Sequence, residues 1–118
     1  MTGRSACYSD SGAVSVIPTS VTDPGPGEVQ MKGAVCGICS WDIATCRLGP
    51  DMSVPAPAGH EGIGYVTRVG AGVTRFAEGD RVAGGGFHTL ANYPTEGLHK
   101  LPETSRLPDV YWLVEPLS

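Results

Sequence analysis

Lysine is nearly missing from this chain: Lys32 and Lys100 are the only two in 118 residues. Lysine and arginine together number eight against twelve acidic residues, leaving a net charge of −4. No basic run or stripe occurs, which excludes nucleic acid and anionic membrane as expected partners. Long apolar runs are missing as well, so no segment reads as a membrane-spanning helix. The opening stretch, Met1 to Asp10, lacks the apolar core of a secretory leader, and a cytoplasmic location is expected. Cysteine is limited to Cys7, Cys36, Cys39 and Cys46. A chain of this length can bury a core without disulfides, and with no export signal reduced thiols are the default. Metal ligation is then worth asking about.

Glycine and proline are abundant, at 17 and 10 residues, while hydrophobic residues reach 41%. The hydrophobic share argues against disorder, and the glycine and proline content argues for many turns between short strands. The length allows one domain, expected to span 1–118. Gly12 to Ile17 reads as a first strand, and Pro18 to Gly27 as a loop. In Glu28 to Gly37, Val29, Met31 and Val35 alternate with Glu28, Gln30 and Lys32, the period of a strand with one buried face. Ser40 to Arg47 has a cap and a stop for a short helix, and Asp51 to Ala58 is a loop. Gly62 to Val69 reads as a strand followed by a turn at Gly70-Ala71-Gly72. Asp80 to Ala83 and Phe87 to Tyr93 read as strands on either side of a Gly84-Gly85-Gly86 turn, and Leu98 to Leu101 as a short extended piece. Several short strands with almost no helix predict a mainly β fold, a small barrel or rolled sheet with short helices.

Three local patterns carry chemistry: Cys36-Gly37-Ile38-Cys39-Ser40-Trp41-Asp42, Gly59-His60-Glu61-Gly62, and Val114-Glu115-Pro116. Thiolate, imidazole and carboxylate are the donor types of a catalytic zinc with one open position. The same Cys-x-x-Cys pair is also compatible with a redox pair or part of a closed zinc knuckle, and Cys36 with a small apolar strand residue. His88 and His99 read as surface or partly buried polar residues rather than ligands.

The run from Pro24 to Pro102 resembles the zinc-dependent medium-chain alcohol dehydrogenases, and more narrowly their catalytic, GroES-like domain. The segments that carry the resemblance are Pro26-Gly27-Glu28-Val29, Cys36-Gly37-Ile38-Cys39 with Asp42, and Gly59-His60-Glu61-Gly62. Gly79-Asp80-Arg81-Val82, Gly85-Gly86-Phe87 and Leu101-Pro102 continue it. The resemblance implies a GroES-like, partly open β-barrel. It implies one catalytic zinc with Cys39 and His60 as ligands, and Glu61 as a nearby or exchanging ligand. Glu115 would be the third ligand, or would hold the water on the metal. Asp42 would orient the His60 imidazole.

Three departures bear on chemistry. Val82 runs through Gly84-Gly85-Gly86 straight to Phe87, with no four-cysteine lobe, so no structural zinc is expected. The family's usual Ser or Thr proton relay falls at Trp41, whose indole nitrogen only donates; Trp41 reads instead as a pocket wall. The dinucleotide fingerprint Gly-x-Gly-x-x-Gly does not occur. Hydride transfer is therefore expected only if another chain supplies the NAD(P) domain.

These features leave three readings. The first is a zinc-binding catalytic domain acting on a small-molecule alcohol or carbonyl, incomplete alone for NAD(P)-linked hydride transfer. The second is a stand-alone non-redox zinc enzyme, a lyase, hydrolase or cyclase using zinc-bound water, with Glu61 or Glu115 moving protons. The third is a non-catalytic oligomeric module. A face left uncovered by the missing domain, with Leu113, Val114 and Leu117, implies a homo-oligomer, most simply a dimer, or a partner chain.

Overall fold

The structure is a computed structural model that describes residues 1–8, 14–38, 56–57 and 61–103. Eight strands follow in order: β1 Thr2–Tyr8, β2 Val14–Ser20, β3 Glu28–Gly37, β4 Ala56–Pro57, β5 Glu61–Val69, β6 Arg81–Gly85, β7 Leu90–Pro94 and β8 His99–Lys100. One 3-10 turn, Thr95–Gly97, links β7 to β8. The strands form two sheets, ordered β2-β1-β4 and β7-β3-β5-β6-β8, with every pairing antiparallel. Mainly β architecture in open sheets thus stands. Among the described residues no helix is long and apolar enough to cross a membrane. The helix expected over 40–47 lies outside the described residues.

The core sits on one face of the five-stranded sheet. Val29 and Met31 of β3 meet Val66 of β5, Val82 of β6, and the loop residues Phe76 and Leu98. A smaller cluster joins Ile63 to Ala83, with Leu101 packed on it. Fully burying side chains of this size contributes about 1.5–3 kcal/mol each.

The alternation expected in β3 holds over Glu28 to Lys32, where its pairing with β7 runs without a shift. Against β5 a register shift falls between Gln30 and Met31, and Val29, Gln30 and Met31 are all buried in succession. The residue that this shift leaves without a partner is Thr67 of β5, so Gln30 keeps the face opposite Val29 and Met31 and is covered there. Gln30, placed by its polarity on the outer face, is therefore 0% exposed. Its amide donates to the Thr22 carbonyl at 3.3 Å, and the Thr67 hydroxyl donates to its Oε1 at 3.0 Å. These bonds make its burial tolerable.

Other elements differ from expectation, among them β4 at Ala56–Pro57 within the loop expected over Asp51 to Ala58. β1 is a strand that the polar run Thr2-Gly3-Arg4-Ser5 did not announce; it forms because β2 folds back on it from Thr2↔Ser20 to Tyr8↔Val14. β2 continues through Pro18 to Ser20 rather than ending at Ile17. A proline fits there because β2 is an edge strand. Gly84 and Gly85 belong to β6 rather than to a turn, and the strand expected from Phe87 begins only at Leu90.

The first hairpin is stitched to the large sheet along residues 87–89. The Ala6 amide donates to the Phe87 carbonyl at 3.0 Å and the Thr89 amide to the Arg4 carbonyl at 2.9 Å. Ser5 and His88 form the bridge between them. At the far end of β5, the Asp80 carboxylate accepts from the Ala77 amide at 2.9 Å and pairs with Lys100 Nζ at 3.2 Å. That turn sets the start of β6.

Candidate functional site

β3 and β5 run antiparallel, with Cys36 opposite Gly62 and Gly37 opposite Glu61. The end of β3 and the start of β5 are therefore neighbours. Cys39 follows Gly37 by two residues, and His60 immediately precedes Glu61. The two motifs singled out in the sequence are thus tethered to one end of one strand pair. Cys39, Trp41, Asp42, His60 and Glu115 themselves lie outside the described residues. Glu61 is placed by its backbone as the first residue of β5. Among the described residues, no three His, Cys, Asp or Glu side chains gather to hold a metal. A thiolate, an imidazole and carboxylates tethered at adjacent strand ends are chemically fit for zinc.

The strand end is held tightly. Gly62 pairs with Gly85 of β6, and the two backbones touch. A Cβ on Gly62 would lie 2.5 Å from the Gly85 carbonyl carbon. Only glycine allows that approach. Under Gly85 sits Tyr93 of β7, whose hydroxyl accepts from the Gly86 amide at 3.1 Å. Burial pushes the Tyr93 phenol above its usual range, the Gly86 N–H donation opposes this, and the nearby Cys36 adds to the rise. Cys36 is half-buried, and its thiol donates to the Gly37 carbonyl at 3.6 Å.

A cleft of about 380 Å³ opens beside this end, lined by Val35 and Cys36 of β3, Val16 of β2, and Gly86, Phe87 and His88. It gives a small molecule room next to the strand ends. His88 Nδ1 lies 2.5 Å from Ser5 Oγ, and its ring meets Tyr93 edge-on with centroids 6.0 Å apart. Burial holds the His88 imidazole below its usual pKa range, so it is neutral at neutral pH. His88 is partly buried and His99 exposed, as expected of non-ligand histidines. The sequence reading gave Tyr93 no role at the site.

Residues 25–103 match the family described as the alcohol dehydrogenase GroES-like domain. An alcohol dehydrogenase of Rhizobium meliloti is 44% identical over 72 residues, covering 58% of this chain and 21% of its own length. Probable cinnamyl alcohol dehydrogenase 9 of Arabidopsis thaliana is 41% identical over 76 residues, covering 64% of this chain and 21% of its own. The chain thus spans about a fifth of the length of these curated relatives. The crystal structure of 2R,3R-butanediol dehydrogenase from Bacillus subtilis superposes with a TM-score of 0.83 at 23% identity. That alignment covers 94% of this chain and 44% of the other. The likeness shows the GroES-like fold. With that fold, and with the family match running from the turn before β3 to the end of the described residues, the chain belongs to the alcohol dehydrogenase GroES-like domain family.

Proposed function

We propose that this domain is the zinc-holding, substrate-handling part of an alcohol dehydrogenase, acting on a small-molecule alcohol or carbonyl compound. The observation that carries the reading is the Gly37–Glu61 pairing. It tethers the Cys36-Gly37-Ile38-Cys39 and Gly59-His60-Glu61-Gly62 motifs to one end of one strand pair. Cys39 and His60 would hold the ion, with Glu61 and Glu115 as the carboxylate donors. Bound there, zinc supplies Lewis acidity toward the substrate oxygen. Asp42 fixes the tautomer and orientation of the His60 imidazole. Glu61 or Glu115 takes up or returns the proton of the substrate hydroxyl. Trp41 walls the substrate site and offers one N–H donor.

Hydride transfer requires NAD(P). No Gly-x-Gly-x-x-Gly fingerprint occurs in these 118 residues, so we assign the cofactor to a dinucleotide-binding domain outside them. Non-redox zinc chemistry is the second reading, and Trp41 at the position of the relay hydroxyl favours it. A second copy or partner chain covering Leu113, Val114 and Leu117 belongs to the same proposal; sedimentation as a monomer at high micromolar concentration overturns that part.

The deciding experiment is elemental analysis of the purified chain beside Cys39→Ala. About one zinc per chain, lost in the variant, supports the reading. A folded wild-type chain that takes up no added zinc overturns it.

A further inference from the structure

We infer that Tyr93 is a positioning residue for the zinc end of the β3–β5 pair, acting through the Gly85–Gly86 backbone. The inference rests on the zinc reading above. Its physical basis is a continuous line of contacts. The Tyr93 hydroxyl accepts the Gly86 N–H at 3.1 Å. That hydroxyl is also one of the nearest atoms to Gly85, lying 3.2 Å from where a Cβ would stand. Met31 Sδ closes the same space at 3.1 Å. Gly85 in turn packs backbone to backbone on Gly62. Gly62 follows Glu61 and pairs with Cys36 on its other side.

One partly buried phenol therefore fixes the height of the Gly85–Gly86 backbone over the sheet, and that backbone fixes Gly62. Nothing softer than main chain lies between the hydroxyl and the residue after Glu61. The ladder is irregular at this point, with a register shift between Gly62 and Ile63 where β5 meets β6. The residue left without a partner there is Gly84 of β6, and a strand that bulges needs another constraint to hold its end in one geometry. The Tyr93–Gly86 bond is placed to be that constraint. Its ring is held in turn, edge-on to His88 at 6.0 Å, and it packs against the main core.

A phenol that only filled core space would serve as well without its oxygen. A phenol that positions the site would not. Loss of supporting partners around metal ligands weakens metal binding about 10–100-fold. For a group acting through backbone, the lower end applies, and Tyr93→Phe is expected to weaken zinc binding about tenfold.

The test is zinc affinity of the full 118-residue chain by chelator competition, measured well below the melting temperature, for wild type, Tyr93→Phe and Tyr65→Phe. Tyr65 also lies on β5, but it is partly exposed and stacks under Arg81, so its hydroxyl serves as the control. Cobalt is loaded in place of zinc, and its visible ligand-field bands give a readout that loss of stability alone does not move. Weaker zinc binding with altered cobalt bands in Tyr93→Phe, and neither change in Tyr65→Phe, is the expected result. Gly85→Ala, whose new methyl would crowd the Tyr93 hydroxyl, should act in the same direction and serves if Tyr93→Phe does not fold. Wild-type affinity and bands in the variant overturn the positioning role and leave the zinc reading standing. A wild-type chain that binds no zinc overturns both.

Discussion

Ser5 Oγ and His88 Nδ1 lie 2.5 Å apart, and this side-chain bond ties the first hairpin to the large sheet. Around it the backbone is stitched by Ala6 to Phe87 and by Thr89 to Arg4. Arg4 and Cys36 share the cleft beside His88, and Tyr93 meets its ring. Burial lowers the His88 pKa in the folded chain. The unfolded chain therefore binds a proton first as pH falls. Stability from this site is complete above the ordinary histidine value of 6.5 and is lost as pH falls through the lower folded value. Thermal melts from about pH 7.5 down to about pH 5 should show wild type losing stability more steeply than His88→Asn. Parallel curves for the two proteins would refute it.

Gly62 admits no side chain. A Cβ there would stand 2.5 Å from the Gly85 carbonyl carbon and 2.6 Å from its oxygen, and neither is a flexible atom. Gly62→Ala should cost about 1–3 kcal/mol, the usual range for forced overpacking. Denaturant unfolding measures it, and a loss under about 0.5 kcal/mol would mean the β5–β6 contact yields easily.

Gln30 shows how a buried amide is held. Truncation to Ala strips the Thr67 hydroxyl of its side-chain acceptor and leaves a void where the amide reached Thr22. The expected destabilisation is about 1–3 kcal/mol. Gln30→Met keeps the volume but not the bonds. It should recover part of the loss, because the penalty combines packing with unmet polar groups. Equal melting temperatures for the two variants would leave packing no part in the cost.

What the sequence made legible follows physical rules. β3 was readable because Val29, Met31 and Val35 alternate with polar residues, and β5 because β-branched residues lead into the Gly70-Ala71-Gly72 turn. β1 was not, because Thr2, Arg4 and Ser5 show no apolar period; its strand state comes from pairing with β2 and from backbone bonds to Phe87 and Thr89. Gln30 looked exposed because an alternation count cannot show that Thr22 and Thr67 cover the second face of β3. Gly84-Gly85 looked like a turn because glycine weakens strands in general, whereas here the close approach of Gly62 demands it. At the candidate site the donor residues were legible as motifs. The support beneath them was not, since Tyr93 lies 32 positions from Glu61 in the chain and only the β7-β3-β5-β6 strand order gathers them.

Among the described residues β2 is an edge strand, and Pro18 guards that edge. The Arg4 amide and carbonyl are both bonded to Thr89, so they point away from β2. In an antiparallel pair, residues opposite one another face the same way relative to the ladder. Pro18 is the partner of Arg4, so its backbone nitrogen faces the open edge, where a hydrogen would invite another strand. β2 carries no charged residue, and Val14 and Val16 are 49% and 68% exposed. Charge therefore does not protect this edge; the missing donor does. Pro18→Val restores an outward N–H and adds a β-branched side chain to an apolar edge. Concentration-dependent self-association should rise in the variant, measured by light scattering and sedimentation, while far-UV circular dichroism stays that of the wild type. Pro18→Lys restores the same N–H but adds a repelling charge, and should remain as soluble as wild type. If Pro18→Val also stays unchanged, the edge is protected by something other than its proline.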